Sequence, residues 1–243
     1  MRKSSLFVLF LALLMSFLFL NSCNNLATTL PMTKDEFPVS DFPSASDSSP
    51  EITGEGRVVS VSENGELLLA LDSGEVSRLT PSGSGSWAPG MKVILFSNGT
   101  LEEEPNSFND LCALYLQVLE DLWETDPGLN ENLTYLGMDL TKTSLSESEQ
   151  AAVSEEFAVR HNAKLIAGTY SDLVNAGYID GENLVWEDGC LFTITETEKT
   201  ETKVSFSADK WRGGLAAYFF TDCEATRSDG SWKSYSVGAE AIS

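Results

Sequence analysis

The period of apolar and polar positions changes three times along this chain. Between Arg57 and Glu103, short apolar runs alternate with turn residues. The pattern predicts strands at Arg57–Val61, Glu66–Leu71, Glu75–Thr80, Met91–Ser97 and Thr100–Glu103. Asn64-Gly65 and Asn98-Gly99 supply the positive φ angles that tight hairpins require. Strands this short and this closely spaced predict a small closed barrel. From Ser107 the period lengthens: Phe108, Leu111, Cys112, Tyr115, Val118, Leu119 and Leu122 recur at i, i+3 and i+4 on one helical face. Ser107-x-x-Asp110 is an imperfect capping box for that helix, and Pro127-Gly128 ends it. Ser146-x-x-Glu149 opens a second helix carrying Ala152, Val153, Phe157 and Ala158. Thr169-x-x-Asp172 opens a short third one, which Gly177 stops.

Beyond Asn183 alternation returns. Leu184–Glu187 and Cys190–Glu196 flank Asp188-Gly189, a further hairpin signal. Thr202–Phe206, Leu215–Cys223 and Trp232–Val237 follow, with Asp229-Gly230 between the last two. Helices followed by antiparallel strands predict an α+β layer with the helices on one sheet face. The expected fold is therefore α+β: a small all-β barrel, OB-like or SH3-like, over residues 55–105, then an α+β domain over 106–243.

The head of the chain is of a different kind. Arg2 and Lys3 precede an apolar run from Leu6 to Leu20, interrupted only by Ser16. Such a run spans about 22 Å as a helix, short of the ~30 Å hydrocarbon core, and so predicts a secretory signal over 1–22 rather than a permanent span. Leu20-Asn21-Ser22-Cys23 resembles the lipobox of bacterial lipoproteins. That resemblance implies cleavage before Cys23, acylation of its thiol and a cell-membrane anchor on the extracytoplasmic side. Residues 23–54 hold Pro31, Pro38, Pro43 and Pro50 among many Ser, Thr and Asp, which predicts a flexible stalk. Packing of Phe37 and Phe42 onto the following domain is the alternative. The layout of Trp87-x-Pro89-Gly90, Val93-Ile94-Leu95 and Asn98-Gly99 resembles a small barrel of Gram-positive lipoproteins with no assigned activity. Trp186–Phe192, Trp211-Arg212-x-Gly214-Leu215 and Val237-Gly238-x-Glu240-x-Ile242-Ser243 resemble the α+β part of the same kind of protein. Neither resemblance brings catalytic residues with it.

Charge narrows the partners. Against 37 acidic side chains stand 15 basic ones, for a net charge of −22. Nucleic acid is excluded as a partner, because phosphate neutralisation needs a clustered Lys/Arg field. An acidic body is also repelled by anionic lipid headgroups, so a lipid would have to supply membrane affinity.

Candidate chemistry is sparse. His161 is the one histidine, and its place at a helix end fits capping better than catalysis. No Cys/His spacing for zinc, P-loop, dinucleotide glycine pattern or nucleophile elbow occurs, so neither cofactor nor metal is expected. Asp222, Glu224 and Asp229 are the nearest approach to a calcium loop, and Ser228-Asp229-Gly230 reads better as a turn. Glu187 and Asp188 beside Trp186 form the least implausible carboxylate pair for hydrolysis. Cys190 and Cys223 are open to pairing if their strands are neighbours; Cys112, Cys190 and Cys223 as free buried thiols is the other reading.

The aromatic residues near the C-terminal strands stand out. Trp186, Trp211, Tyr218 and Trp232, with Arg212 as the fixed cation, are the candidate ligand contacts. Either both sheet faces are covered and these side chains are core, or one face is an open aromatic surface. The resulting expectation is a lipid-anchored, non-enzymatic binding module for a small ligand or an envelope protein. A cell-envelope hydrolase with a carboxylate site in the α+β domain is the alternative.

Overall fold

The computed structural model describes residues 49–243. The signal segment 1–22, Cys23, and the stalk as far as residue 48, with Phe37 and Phe42, lie outside the described residues.

The first sheet contains β1 (Ile52–Val61), β2 (Leu67–Leu71), β3 (Val76–Leu79), β4 (Lys92–Phe96) and β5 (Leu101–Glu103), in the antiparallel order β3-β2-β1-β4-β5. β1 begins at Ile52, earlier than alternation predicts. The sheet has two edges, and no ladder closes β3 onto β5 among the described residues. Both of its faces are covered, which is why Leu67 to Ala70 are buried in succession. Val58, Leu67, Leu69 and Val93 fill the inside of the curl. Val59, Leu68 and Ala70 turn the other way, into the core they share with the helices. Successive valines point to opposite cores by the ordinary alternation of a strand, and a register shift between Val58 and Ser60 leaves Val59 as the extra residue of a bulge opposite β2.

The second sheet is mixed. Its strands are β6 (Tyr135–Lys142), β7 (Lys164–Ala167), β8 (Gly189–Lys199), β9 (Lys203–Gly213), β10 (Ala216–Ser228), β11 (Ser231–Ser236) and β12 (Ala239–Ile242), in the order β11-β10-β9-β8-β6-β7, with β12 paired to β10. The expectation of helices on a purely antiparallel sheet is corrected here. β6 runs parallel to both β7 and β8, and parallel neighbours need crossover helices. Helix α2 (Glu147–Arg160) connects β6 to β7, and α3 (Tyr170–Asn175) lies between β7 and β8.

Two predicted caps form as written. Ser146 and Glu149 exchange both bonds of a capping box at α2, as do Thr169 and Asp172 at α3. Helix α1 (Leu111–Glu124) begins later than Ser107 and has no side-chain cap. The Asp110 carboxylate instead accepts from the Trp232 backbone N–H at 3.0 Å, and the Ser107 carbonyl accepts from Arg57 at 2.8 Å. Leu114 and Leu116 are buried along with the predicted stripe, because α1 belongs to a helical layer between the two sheets. The far end of α1 is tied by Lys210, which is fully buried. Its ammonium donates to the carbonyls of Trp123 and Asp126 and to Asn130 Oδ1, at 3.1–3.2 Å.

The predicted hairpin around Asp188-Gly189 does not form. Residues 184–187 join no named strand: Val185 makes isolated bridges to Asp180 and Gly213, and Trp186 folds inward, its backbone N–H donating to the Arg212 carbonyl at 2.8 Å. Cys112, Cys190 and Cys223 are free and buried. β9 separates the strands of Cys190 and Cys223, so that pair is not bridged.

Candidate functional site

The five aromatic and cationic candidates do not converge. Trp186 has no exposed surface; its indole occupies the space that side chains at Gly137 and Gly189 would need. Trp232 is 5% exposed and donates through Nε1 to Asn109 Oδ1 at 3.3 Å. Arg212 spends its guanidinium on the carbonyls of Leu129, Glu131 and Glu187. Tyr218 is partly exposed, and its hydroxyl hydrogen-bonds Glu240. Trp211 is partly exposed on the sheet face turned away from α1 and α2, with Tyr170 packed edge-on against it at 5.1 Å. Trp186 and Trp232 are thus core in this structure, and Trp211 is the tryptophan of the three with surface to offer.

That outer face carries a feature the sequence does not mark. Strand register places Asp139 of β6, Thr193 of β8, Asp209 of β9 and Phe219 of β10 in one row. The neighbouring row holds Gly137, Leu191, Trp211 and Ala217. α3 and the segment after it cover this second row, where Leu173, Ile179, Trp186 and Leu191 form a small cluster. On the other side of the carboxylates the face opens into a shallow groove of about 300 Å³, lined by Thr197, Ser205, Ser207, Thr221 and Asp222 among others. A bulge in β10 between Phe220 and Cys223 shapes this groove, with Asp222 in the left-handed region at φ 52°.

The two carboxylates differ in their surroundings. Asp139 is 8% exposed, and its Oδ1 accepts from the Thr141 backbone N–H at 3.1 Å and hydroxyl at 2.6 Å. Asp209 is partly buried and receives no hydrogen bond from the described residues. Burial, and then the negative charge of Asp139, push the Asp209 carboxyl up to about 6, with Lys142 opposing the shift. A carboxyl pushed up by burial beside a second carboxylate is common raw material of acid–base chemistry and of donor recognition. Nearby, the Tyr170 hydroxyl oxygen is buried without a partner.

No protein-family model matches the chain, and no curated protein does either. The other polar residues considered from sequence have structural occupations. His161 caps α2, stacks on Trp123 at 3.8 Å and meets Glu120 at 3.0 Å. Glu187 and Asp188 are exposed, and both backbone carbonyls serve as acceptors. Among the described residues no group of three or more His, Cys, Asp or Glu is arranged to hold a metal ion. Sequence reasoning misses Asp139 and Asp209 because they lie 70 positions apart and meet only through the order of β6, β8 and β9. The one local signal is the polar alternation Ser205, Ser207, Asp209 along a strand whose other face is Val204, Phe206, Ala208.

Proposed function

We propose that this is an envelope-facing binding protein, anchored through lipid on Cys23, whose outer sheet face takes a glycan. The observation that carries the reading is Asp209, a partly buried carboxylate that receives no hydrogen bond from the described residues. It stands between Trp211 and a groove of serine and threonine hydroxyls. Withdrawing such a group from water without a partner costs stability, and the hydroxyl groups of a sugar are partners of the right kind. Trp211 and Phe219 add apolar surface beside the carboxylates for a sugar ring. The anchor is supported by Arg2-Lys3, the apolar run and Cys23. No helix of the described residues is long and apolar enough to cross a membrane. For the first sheet we favour an incompletely closed barrel: Leu79 of β3 and Leu101 of β5 share one apolar cluster, and the Ser82 N–H donates to the Gly99 carbonyl at 2.9 Å.

A second reading is favoured by the unequal carboxyls. Asp209, its carboxyl pushed up by burial, and Asp139 on the same face make the two-carboxyl set from which a glycoside hydrolase is built. One experiment separates the two. Chitotetraose is added to the full chain and followed by NMR shift perturbation and by mass spectrometry of the sugar. Binding without cleavage, lost in Asp209→Asn and weakened in Trp211→Ala, is the expected result. Cleavage abolished by Asp209→Asn establishes the hydrolase. Absence of any shift on the outer face removes both.

A further inference from the structure

A free sheet edge offers main-chain donors and acceptors to another strand, and folded proteins usually blunt such edges with charge or cover. Among the described residues the edge strands are β3, β5, β7, β11 and β12, and all but the last are blunted. β3 is tied to α2 by Arg78, which reaches Glu155 and Glu156. β5 carries the exposed Glu102 and Glu103, and β7 opens with the exposed Lys164. Along β11, Asp110 takes the Trp232 backbone N–H at 3.0 Å and the Ser231 hydroxyl. β12 reads Ala-Glu-Ala-Ile, without proline, lysine or arginine. All four residues are exposed, and Ile242 keeps 67% of its surface. Its single charge, Glu240, accepts from the Tyr218 hydroxyl.

The pairing with β10 decides which main-chain groups of β12 stay free. The Ser243 N–H donates to the Ala217 carbonyl at 3.1 Å, and the register continues with Ile242 beside Tyr218, Ala241 beside Phe219 and Glu240 beside Phe220. Bonded and non-bonded pairs alternate along an antiparallel ladder, so Ala239 and Ala241 turn their N–H and C=O groups to β10. Those of Glu240 and Ile242 point away from the sheet, and no further strand of the described residues meets them.

We propose that β12 is a self-pairing edge: two copies of the chain join antiparallel through it, about a two-fold axis at Ala241. In that register Glu240 of each copy lies opposite Ile242 of the other, and their outward groups exchange four main-chain hydrogen bonds. Centring the axis on Glu240 instead would set two carboxylates face to face, which disfavours that register. Ala241 meets its own counterpart in a non-bonded pair, where a small side chain suits a Cα separation of about 4.5 Å. This self-complementarity favours a second copy over a foreign strand, and the pair has the closed symmetry of ordinary homodimers. The outer faces of the two copies come to lie on one side of a continuous sheet. Two four-residue strands bury less than the roughly 1,200 Å² of stable complexes, and each chain carries a net charge of −22. Association is therefore weak and opposed at low salt. Raising the salt from about 0.01 to about 1 M shortens the screening length from about 30 to about 3 Å and strengthens it.

The test is oxidation of the full chain carrying Ala241→Cys, with Ala239→Cys as the control, read by non-reducing electrophoresis. Two cysteines at position 241 meet within disulfide reach, whereas two at position 239 stand about 14 Å apart, four positions along the ladder. The linked dimer should form about tenfold faster for Ala241→Cys than for the control, and faster still in high salt. Adding Ile242→Pro should return it to the control rate, because proline deletes an outward N–H and leaves the bonds of Ala239, Ala241 and Ser243 to β10 in place. Sedimentation of the unaltered chain in high salt should show a mass that rises with concentration, while Ile242→Pro stays monomeric. Equal rates at the two cysteine positions overturn the proposal, and so does a dimer that persists in Ile242→Pro. An unaltered chain that stays monomeric at every concentration in high salt leaves the edge to a strand of some other protein and overturns self-pairing.

Discussion

Replacing Trp186 with alanine should be among the most damaging single changes in the described part of the chain. The indole is fully buried, and its fit is defined by two glycines. A Cβ at Gly189 would lie 1.9 Å from Trp186 Cε2, and one at Gly137 would lie 2.7 Å from Cζ3. Truncation therefore leaves a ring-sized void under α3 that the rigid β6 and β8 backbones cannot close, at a cost of about 3–5 kcal/mol. For a body of this size that corresponds to a fall of roughly 6–20 °C in melting temperature. Trp186 Nε1 is buried without an acceptor, a penalty of about 1–3 kcal/mol that the wild type already carries. Trp186→Phe sheds that penalty while keeping most of the volume, so it should cost no more than about 2 kcal/mol. The two sites are also coupled. Gly189→Ala alone drives a methyl group into the indole and should be strongly destabilising, yet in the Trp186→Ala background it should cost little. Thermal and urea unfolding of the four proteins completes the cycle. A Trp186→Ala protein melting within about 3 °C of wild type, or additive effects in the double variant, would refute this account of the packing.

Three further outcomes are expected. Asp209→Asn should stabilise the fold by up to about 3 kcal/mol at pH 8, from a carboxyl pushed up from 3.8 to about 6. The sign follows from the direction of the shift: the raised carboxyl favours the fold while protonated, and that contribution is lost as pH rises through about 6. The gain should vanish near pH 4, and melting curves at both pH values would show a flat profile if the reasoning is wrong. Lys210→Met should lower stability by about 2–4 kcal/mol in urea denaturation, because the carbonyls of Trp123 and Asp126 and Asn130 Oδ1 lose their common donor. In membranes, the wild-type protein should carry an acylated Cys23 as its first residue by mass spectrometry, and Cys23→Ser should abolish the modification; an unmodified Cys23 would remove the anchor.

Local chemistry was the legible part of the sequence. Ser146 with Glu149, and Thr169 with Asp172, predict helix starts that the structure reproduces bond for bond. The stripe through Leu111, Tyr115, Val118 and Leu122 predicts the buried face of α1. β6 and β7 went unread for a physical reason. Tyr135–Lys142 has Gly137 and Asp139 on its outer face and Leu136, Met138 and Leu140 inside, and it has few of the β-branched residues that mark strands. Without β6 the parallel pairings are invisible, and with them the meeting of Asp139 and Asp209. Trp186 misled in the opposite direction. Alternation through Leu184–Glu187 looks like a strand, but a large apolar side chain next to Gly189 can fold over the sheet instead of joining it. The aromatic candidates were chosen by type and position, whereas burial sorted them, taking Trp186 and Trp232 into the core and leaving Trp211 at the surface.

Arg57 sets a schedule for synthesis. Its guanidinium reaches from β1 to the carbonyls of Gly90 and Ser107 and to Glu149 of α2, the last of these 92 positions further along the chain. Val59, Leu68 and Ala70 likewise belong to the core that α1, α2 and the second sheet complete. The first sheet ends at Glu103 and α2 at Arg160, so at about 5–20 residues per second the sheet waits roughly 3–11 seconds of synthesis before α2 exists to cover it. During that interval its helix-facing side is open.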